Sequence, residues 1–145
     1  MQISAHFTLE ELTVSEYAAR HDLGNSPPPS VLDNLREAAA GMEAVRSALK
    51  SQPIHVTSGY RSPLVNAGVG GAPSSAHCNG YAVDFICPGF GSNYLVAQAI
   101  AKASIRFDQL ILEYGWVHVS FAPTLRCECL TKKSASAPYE HGLIP

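Results

Sequence analysis

Phe107-Asp108-Gln109-Leu110-Ile111-Leu112-Glu113-Tyr114-Gly115-Trp116-Val117-His118-Val119-Ser120-Phe121 decides the fold, because two alternating runs meet at Tyr114-Gly115. Such a pattern predicts a β-hairpin with a two-residue turn. Antiparallel pairing about that turn sets Glu113 opposite Trp116, Leu112 opposite Val117 and Ile111 opposite His118. Opposed residues share a face, so Glu113, Trp116 and His118 project together, with Glu113 diagonal to His118. Val117, Val119 and Phe121 face the other way, into a core. Asp108 belongs to that apolar face by parity, which makes it a poorer candidate for chemistry than Glu113.

Upstream lies Ser75-Ala76-His77-Cys78-Asn79-Gly80-Tyr81-Ala82-Val83-Asp84. Gly80 to Ile86 reads as a strand with Ala82 and Asp84 on one face and Tyr81, Val83 and Phe85 on the other. The small Ala82 leaves room beside Asp84. His77, Asp84 and His118 make two histidines and one carboxylate, a three-ligand set for zinc that keeps a fourth position open. A hydrolase needs that opening, because the metal brings the pKa of bound water towards neutrality. The spacing is not that of a helical His-Glu-x-x-His pair, so the ligands come from loops and strands.

The rest of the chain reads as support. Ile54 to Ser58 alternates between Pro53 and Gly59 and predicts a strand, followed by a turn-rich, glycine-rich loop from Gly59 to Pro73. Thr8 and Glu11 fit a capping box that starts a helix, with Phe7 stapled to Leu12. Asn25-Ser26-Pro27-Pro28-Pro29 is a stiff connector. Ser30 is expected to cap a longer helix whose apolar stripe is Val31, Leu32, Leu35, Ala38, Ala39, Met42, Val45 and Leu49. Ser92 caps a further helix ending near Ser104.

A chain of 145 residues is one domain with a single core. A net charge of −2 argues against a nucleic-acid binder, which would show a basic face. No apolar run approaches a membrane span, and Met1 to His6 shows neither the basic nor the apolar region of a signal peptide. The chain is therefore expected to be made in the cytoplasm, as a monomer. Cys78, Cys87, Cys127 and Cys129 contain no Cys-x-x-Cys pair and are expected to be reduced. Cys78 adjoins His77, but neighbours in an extended run point apart, so a thiol nucleophile lacks its base. His6, His21, His55 and His141 read as ordinary surface or core residues.

Ser75-x-His77-x-x-Gly80-x-Ala82-x-Asp84 with Trp116-x-His118 resembles the D-Ala-D-Ala carboxypeptidase family of zinc peptidases, which cut cell-wall peptides. Phe7 to Leu12, the Asn-x-Pro-Pro connector, Asn34-Leu35, Ser58-Gly59-Tyr60-Arg61-Ser62-Pro63, Asn66, Gly70-Gly71 and Phe107 to Ile111 add to the resemblance. It runs from His6 to Pro123 and points to the short, phage-type branch, in which the peptidase domain stands alone. The implied fold is α+β, with helices packed on an antiparallel sheet as in these carboxypeptidases and the hedgehog signalling domain. Residues 1–123 would form this domain, and residues 124–145 a C-terminal tail, flexible around Lys132 to Pro138.

The resemblance also implies roles. His77, Asp84 and His118 would hold Zn2+, and Arg61 would hold a substrate carboxylate or developing oxyanion. Ser58, Tyr60, Ser75 and Trp116 would join Arg61 against the substrate. Better-studied relatives carry an acidic residue three places before the last histidine, where this chain has Gly115. Hairpin geometry offers Glu113 in its place as the base, with Asp108 as the alternative. The implied activity is metal-dependent hydrolysis of peptidoglycan peptide bonds, by a phage lysin that reaches the host wall after another protein opens the membrane. Two rivals are a zinc-containing peptidoglycan-binding module without turnover and a virion structural protein whose metal stabilises the fold. Whether the bond cut is that of a carboxypeptidase or an endopeptidase stays open.

Overall fold

In the computed structural model, which describes residues 1–145, the hairpin forms in the register that its alternation dictates. Strands β3 (Gln109–Leu112) and β4 (Val117–Ser120) run antiparallel, with Ile111 opposite His118 and Leu112 opposite Val117. Glu113 N–H donates to the Trp116 carbonyl at 3.1 Å. The turn needs Gly115, whose φ of +143° is one that residues with a Cβ rarely adopt.

On its other edge β4 pairs antiparallel with β2 (Ala82–Ile86), which sets Asp84 opposite His118. Next comes β1 (His55–Ser58), whose register shifts between Val56 and Ser58. The extra residue in β1 brings Ser58, rather than Thr57, opposite Asp84.

Residues 124–145, set apart as a C-terminal tail, add β5 (Glu128–Thr131) and β6 (Glu140–His141) to the sheet, with Lys132 to Pro138 in the connection between them. The strand order is β1-β2-β4-β3-β5-β6. Both edges of β4 are taken by β2 and β3, and the chain leaving β4 pairs at the free edge of β3. One reversal after β4 leaves β5 parallel to β3. The sheet is therefore mixed, and the expectation of a purely antiparallel one is corrected by this single parallel pair.

Helices α2 (Pro29–Ala48) and α4 (Asn93–Lys102) contribute to the core on one face of the sheet. Leu35, Met42 and Val45 of α2 and Val96 and Ile100 of α4 cluster with Val83, Phe85, Leu110, Val117 and Val119. Each fully buried side chain of this size contributes about 1.5–3 kcal/mol, so this layer supplies the rigidity on which the opposite face depends. No helix is long and apolar enough to cross a membrane.

Three local expectations change. The longer helix starts at Pro29, with Pro28 and not Ser30 at the cap, because proline fits a first helical turn where its missing N–H is not needed. The Thr8–Glu11 capping box forms, with Glu11 N–H on Thr8 Oγ1 at 3.2 Å and Thr8 N–H on Glu11 at 2.8 Å. It opens only a short run of turns, because the Leu12 carbonyl is taken by Tyr60 N–H at 2.7 Å. The first helix, α1 (Glu16–Arg20), is instead capped by Ser15. Within the predicted loop after β1, Ser62 caps a short helix, α3 (Pro63–Gly68).

Directly paired residues share a face, so Ser58, Asp84, His118, Ile111, Leu130 and His141 form one transverse row across all six strands. That row lies on the face opposite the core residues Phe85, Val117, Val119, Leu110 and Leu112.

Asp108 anchors the C-terminal strands instead. Its carboxylate accepts from Arg126 Nε and Nη2 at 2.9 Å each, from Arg126 N–H at 3.0 Å and from Thr124 Oγ1 at 2.8 Å. Arg126 holds the Asp108 carboxyl well below the usual range, against the opposing effect of burial. A depressed folded-state pKa stabilises the fold above the unfolded value of about 3.9 and loses that contribution as pH falls further. Asp108→Asn is therefore expected to lower Tm by several degrees at pH 7 and to flatten the acid limb of a Tm-versus-pH curve. A variant curve superimposed on that of the wild type would contradict this anchoring role.

Candidate metal centre

Sequence local to His77 builds the first wall of the site. Ser75 caps a 3-10 turn over Ala76–Asn79, its Oγ accepting from His77 N–H at 3.2 Å. Gly80 then closes the turn in the left-handed region, at φ +78°, and releases the chain into β2. The His77 ring is buried, and its Nδ1 lies 2.7 Å from the Gly59 carbonyl. A carbonyl only accepts, so Nδ1 carries the proton and Nε2 presents a lone pair to the interior.

Asp84 and His118 arrive from neighbouring strands, directly opposite one another. His77 Nε2 stands 3.2 Å from Asp84 Oδ2, and His118 Nδ1 stands 2.9 Å from Asp84 Oδ1. The two imidazole rings meet edge to face with centroids 5.1 Å apart. One donor atom from each of the three residues lies within 4.8 Å of the others, and all three side chains are buried. Burial opposes ionisation of Asp84, but the charges and hydrogen bonds of the two histidines overrule it and hold the carboxyl well below its ordinary range. Burial also pushes His77 down, more strongly than Asp84 pulls it up. A carboxylate flanked by two imidazole nitrogens at these distances is a donor set of the kind that a zinc ion takes.

Around this cluster the predicted site residues divide. Ser58 lies in the transverse row beside Asp84. Arg61 is brought in by its own N–H, which bonds the His77 carbonyl at 3.1 Å. Its Nη2 donates to Ser75 Oγ at 3.3 Å, while its buried Nε has no partner. A buried guanidinium N–H left unpaired costs free energy until an anion or water meets it.

Tyr60 is the correction. It is 3% exposed and belongs to the hydrophobic core, where it braces the Arg61 loop. Trp116 donates its indole N–H to Glu113 Oε2 at 2.9 Å and packs against Tyr114. It positions Glu113 more directly than it offers a surface to substrate.

Glu113 lies diagonal to His118 across the hairpin, a separation of about 7–8 Å between backbones. Burial pushes its carboxyl up, helped by the charge of Asp84 and opposed by His118, Trp116 and Lys132. A carboxylate with a raised pKa near a candidate metal cluster has the character of a proton acceptor and donor. Asp108, the alternative, is committed to Arg126 and Thr124.

Two supports escaped the sequence reading. The Gly59 carbonyl, which orients His77, carries no side-chain signal at all. Asn25 clamps the Arg61 loop by donating to the Thr13 and Tyr60 carbonyls at 2.7 and 3.0 Å and accepting from Ser62 N–H at 2.8 Å. Its place before the proline run marked a connector and hid this tertiary role.

The family described as Peptidase M15 matches residues 5–120. A zinc D-Ala-D-Ala carboxypeptidase from Streptomyces albus G is 37% identical over 70 residues, covering 48% of this chain and 26% of that protein. The chain thus spans about a quarter of the length of the curated relative it matches.

Purified protein is expected to carry about one divalent metal ion per chain at such a three-donor site. His77→Ala, Asp84→Asn and His118→Ala should each lose most of it, read by elemental analysis. Full metal content in all three variants would remove the cluster as the binding site.

Proposed function

The chain belongs to the peptidase M15 family, and from that premise we propose that it is a zinc peptidase that hydrolyses peptide bonds of peptidoglycan. The observation that carries this reading is the convergence of His77, Asp84 and His118 on one buried point. Two imidazole nitrogens and a carboxylate oxygen suit zinc in its catalytic form, with three protein ligands and an open position. His77 would hold the metal through Nε2, Asp84 through a carboxylate oxygen and His118 through Nδ1. The choice of zinc and of peptides ending in D-Ala-D-Ala follows the name of the Streptomyces albus G relative. The setting as a phage lysin follows the resemblance to the short branch of the family.

When bound, zinc supplies Lewis acidity at the scissile carbonyl and lowers the pKa of water. The chain's own residues carry the proton and the substrate. Glu113 takes a proton from the attacking water and returns it to the leaving amine, a task suited to a carboxyl whose pKa is raised by burial. Trp116 holds Glu113 Oε2, which leaves Oε1 for that proton. Arg61, with its unpartnered Nε, offers a planar fork of donors to a substrate carboxylate or to the oxyanion. A cleft lined by Ser58, Arg61, Thr57, Tyr17 and Val69 opens beside it.

Glu113→Gln is expected to keep its metal while peptide cleavage falls about 10²–10⁴-fold. Arg61→Lys should also keep metal and fold but lose most activity, because an ammonium cannot reproduce a bidentate fork. Release of new amino groups from peptidoglycan peptides measures both. Wild-type rates in the two variants, with metal in place, would overturn the assignment of base and anion holder.

A further inference from the structure

The β5–β6 pair lies outside the matched family region, which ends at residue 120, yet it extends the metal-bearing face. The β3–β5 register pairs Leu112 with Thr131, and Lys132 N–H donates to the Leu112 carbonyl at 2.9 Å. The next residues along the two strands are Glu113 and Lys132, side by side at about the 4.8 Å spacing of adjacent strands. Thr131 pairs with Glu140 in β6, so Tyr139 is the neighbour of Lys132. The ammonium of Lys132 sits 4.4 Å from the centroid of the Tyr139 ring and donates to the Ala137 carbonyl at 2.7 Å.

Lys132 forms no ion pair, whereas Lys133, of opposite parity, is paired with Glu140 at 3.7 Å. An ammonium has three donors, and the Ala137 carbonyl uses one. Lys132 is thus a partly buried cation held in place by an aromatic ring, with donors to spare and no bound carboxylate. Tyr139 is 55% exposed beside it. Partial burial and the charges of Glu113, Tyr114 and Asp84 push the Tyr139 phenol up, which agrees with a position on the rim of the cluster.

We infer that Lys132 and Tyr139 form a substrate subsite that binds a carboxylate of the peptide on the side of the metal cluster remote from Arg61. This rests on the peptidase reading above. Arg61 follows β1 and Lys132 follows β5, four strand steps away in the order β1-β2-β4-β3-β5. Four steps make about 19 Å, the length of some five or six extended residues. A peptide laid across the sheet, with its scissile bond over the cluster, therefore reaches both cations. Lys132 supplies the charge, and the Tyr139 ring fixes its direction and offers an apolar wall to the neighbouring residue.

The test uses two synthetic peptides ending in D-Ala-D-Ala, identical except that an interior glutamate carboxylate is free in one and amidated in the other. Their affinities for the metal-loaded full chain are read as KM if they are cut and as calorimetric Kd if they are not. Failure of cleavage is thereby separated from failure of the subsite. The wild type should favour the free acid by about tenfold, the size of one charge-assisted hydrogen bond. Lys132→Met should erase that preference while metal content stays unchanged, and Lys132→Arg should retain it. Equal affinity of the wild type for the two peptides would overturn the inference. So would a Lys132→Met variant that weakens both peptides alike, since the strand pair would then be serving structure alone.

Discussion

Asp84 is a carboxylate with 6% of its surface exposed, and the surrounding structure answers to the cost of burying that charge. A buried ion without partners is disfavoured by several kcal/mol. Here His77 and His118 face its two oxygens from different elements, and the Gly59 carbonyl fixes the tautomer of His77. Each partner is delivered by a separate local device: a capped 3-10 turn for His77, a strand register for His118 and a loop carbonyl for orientation. Shifting any one of them by a residue would leave the carboxylate partly unpaired.

That constraint explains the division of the molecule into two faces. The apolar layer of α2, α4 and one side of the sheet gains its stability from burial. The other side spends some of it on a charged cluster, an unpartnered arginine N–H and a glutamate of raised pKa. Such concentrations of poorly satisfied polar groups mark functional surfaces. Asp108 shows the contrast: its carboxylate has four donors and serves the edge of the sheet.

Much of this was legible in the sequence because β-structure has a period of two. Alternation around Tyr114-Gly115 was enough to pair Ile111 with His118, and alternation in β2 was enough to turn Val83 and Phe85 inward and Asp84 outward. What escaped depends on tertiary partners. The helix expected after Thr8 stops because Tyr60, far along the chain, takes the Leu12 carbonyl. Ser62-Pro63 was a helix start hidden in a glycine-rich loop. Residues 128–131 became a parallel strand by joining β3 after one reversal from β4, a fact of topology that short-range pattern cannot express. Tyr60 had the right place in the motif to touch substrate but is turned into the core.

The central claim is that the His77–Asp84–His118 cluster is the catalytic centre of a peptide hydrolase acting on the cell wall. Digestion of purified peptidoglycan, with the released ends identified by mass spectrometry, tests it most directly. Zinc-loaded protein should generate paired new amino and carboxyl ends at a peptide bond, and release should stop on chelation and resume when zinc is restored. Fully metal-loaded protein that binds the wall and yields no new peptide ends would contradict the claim.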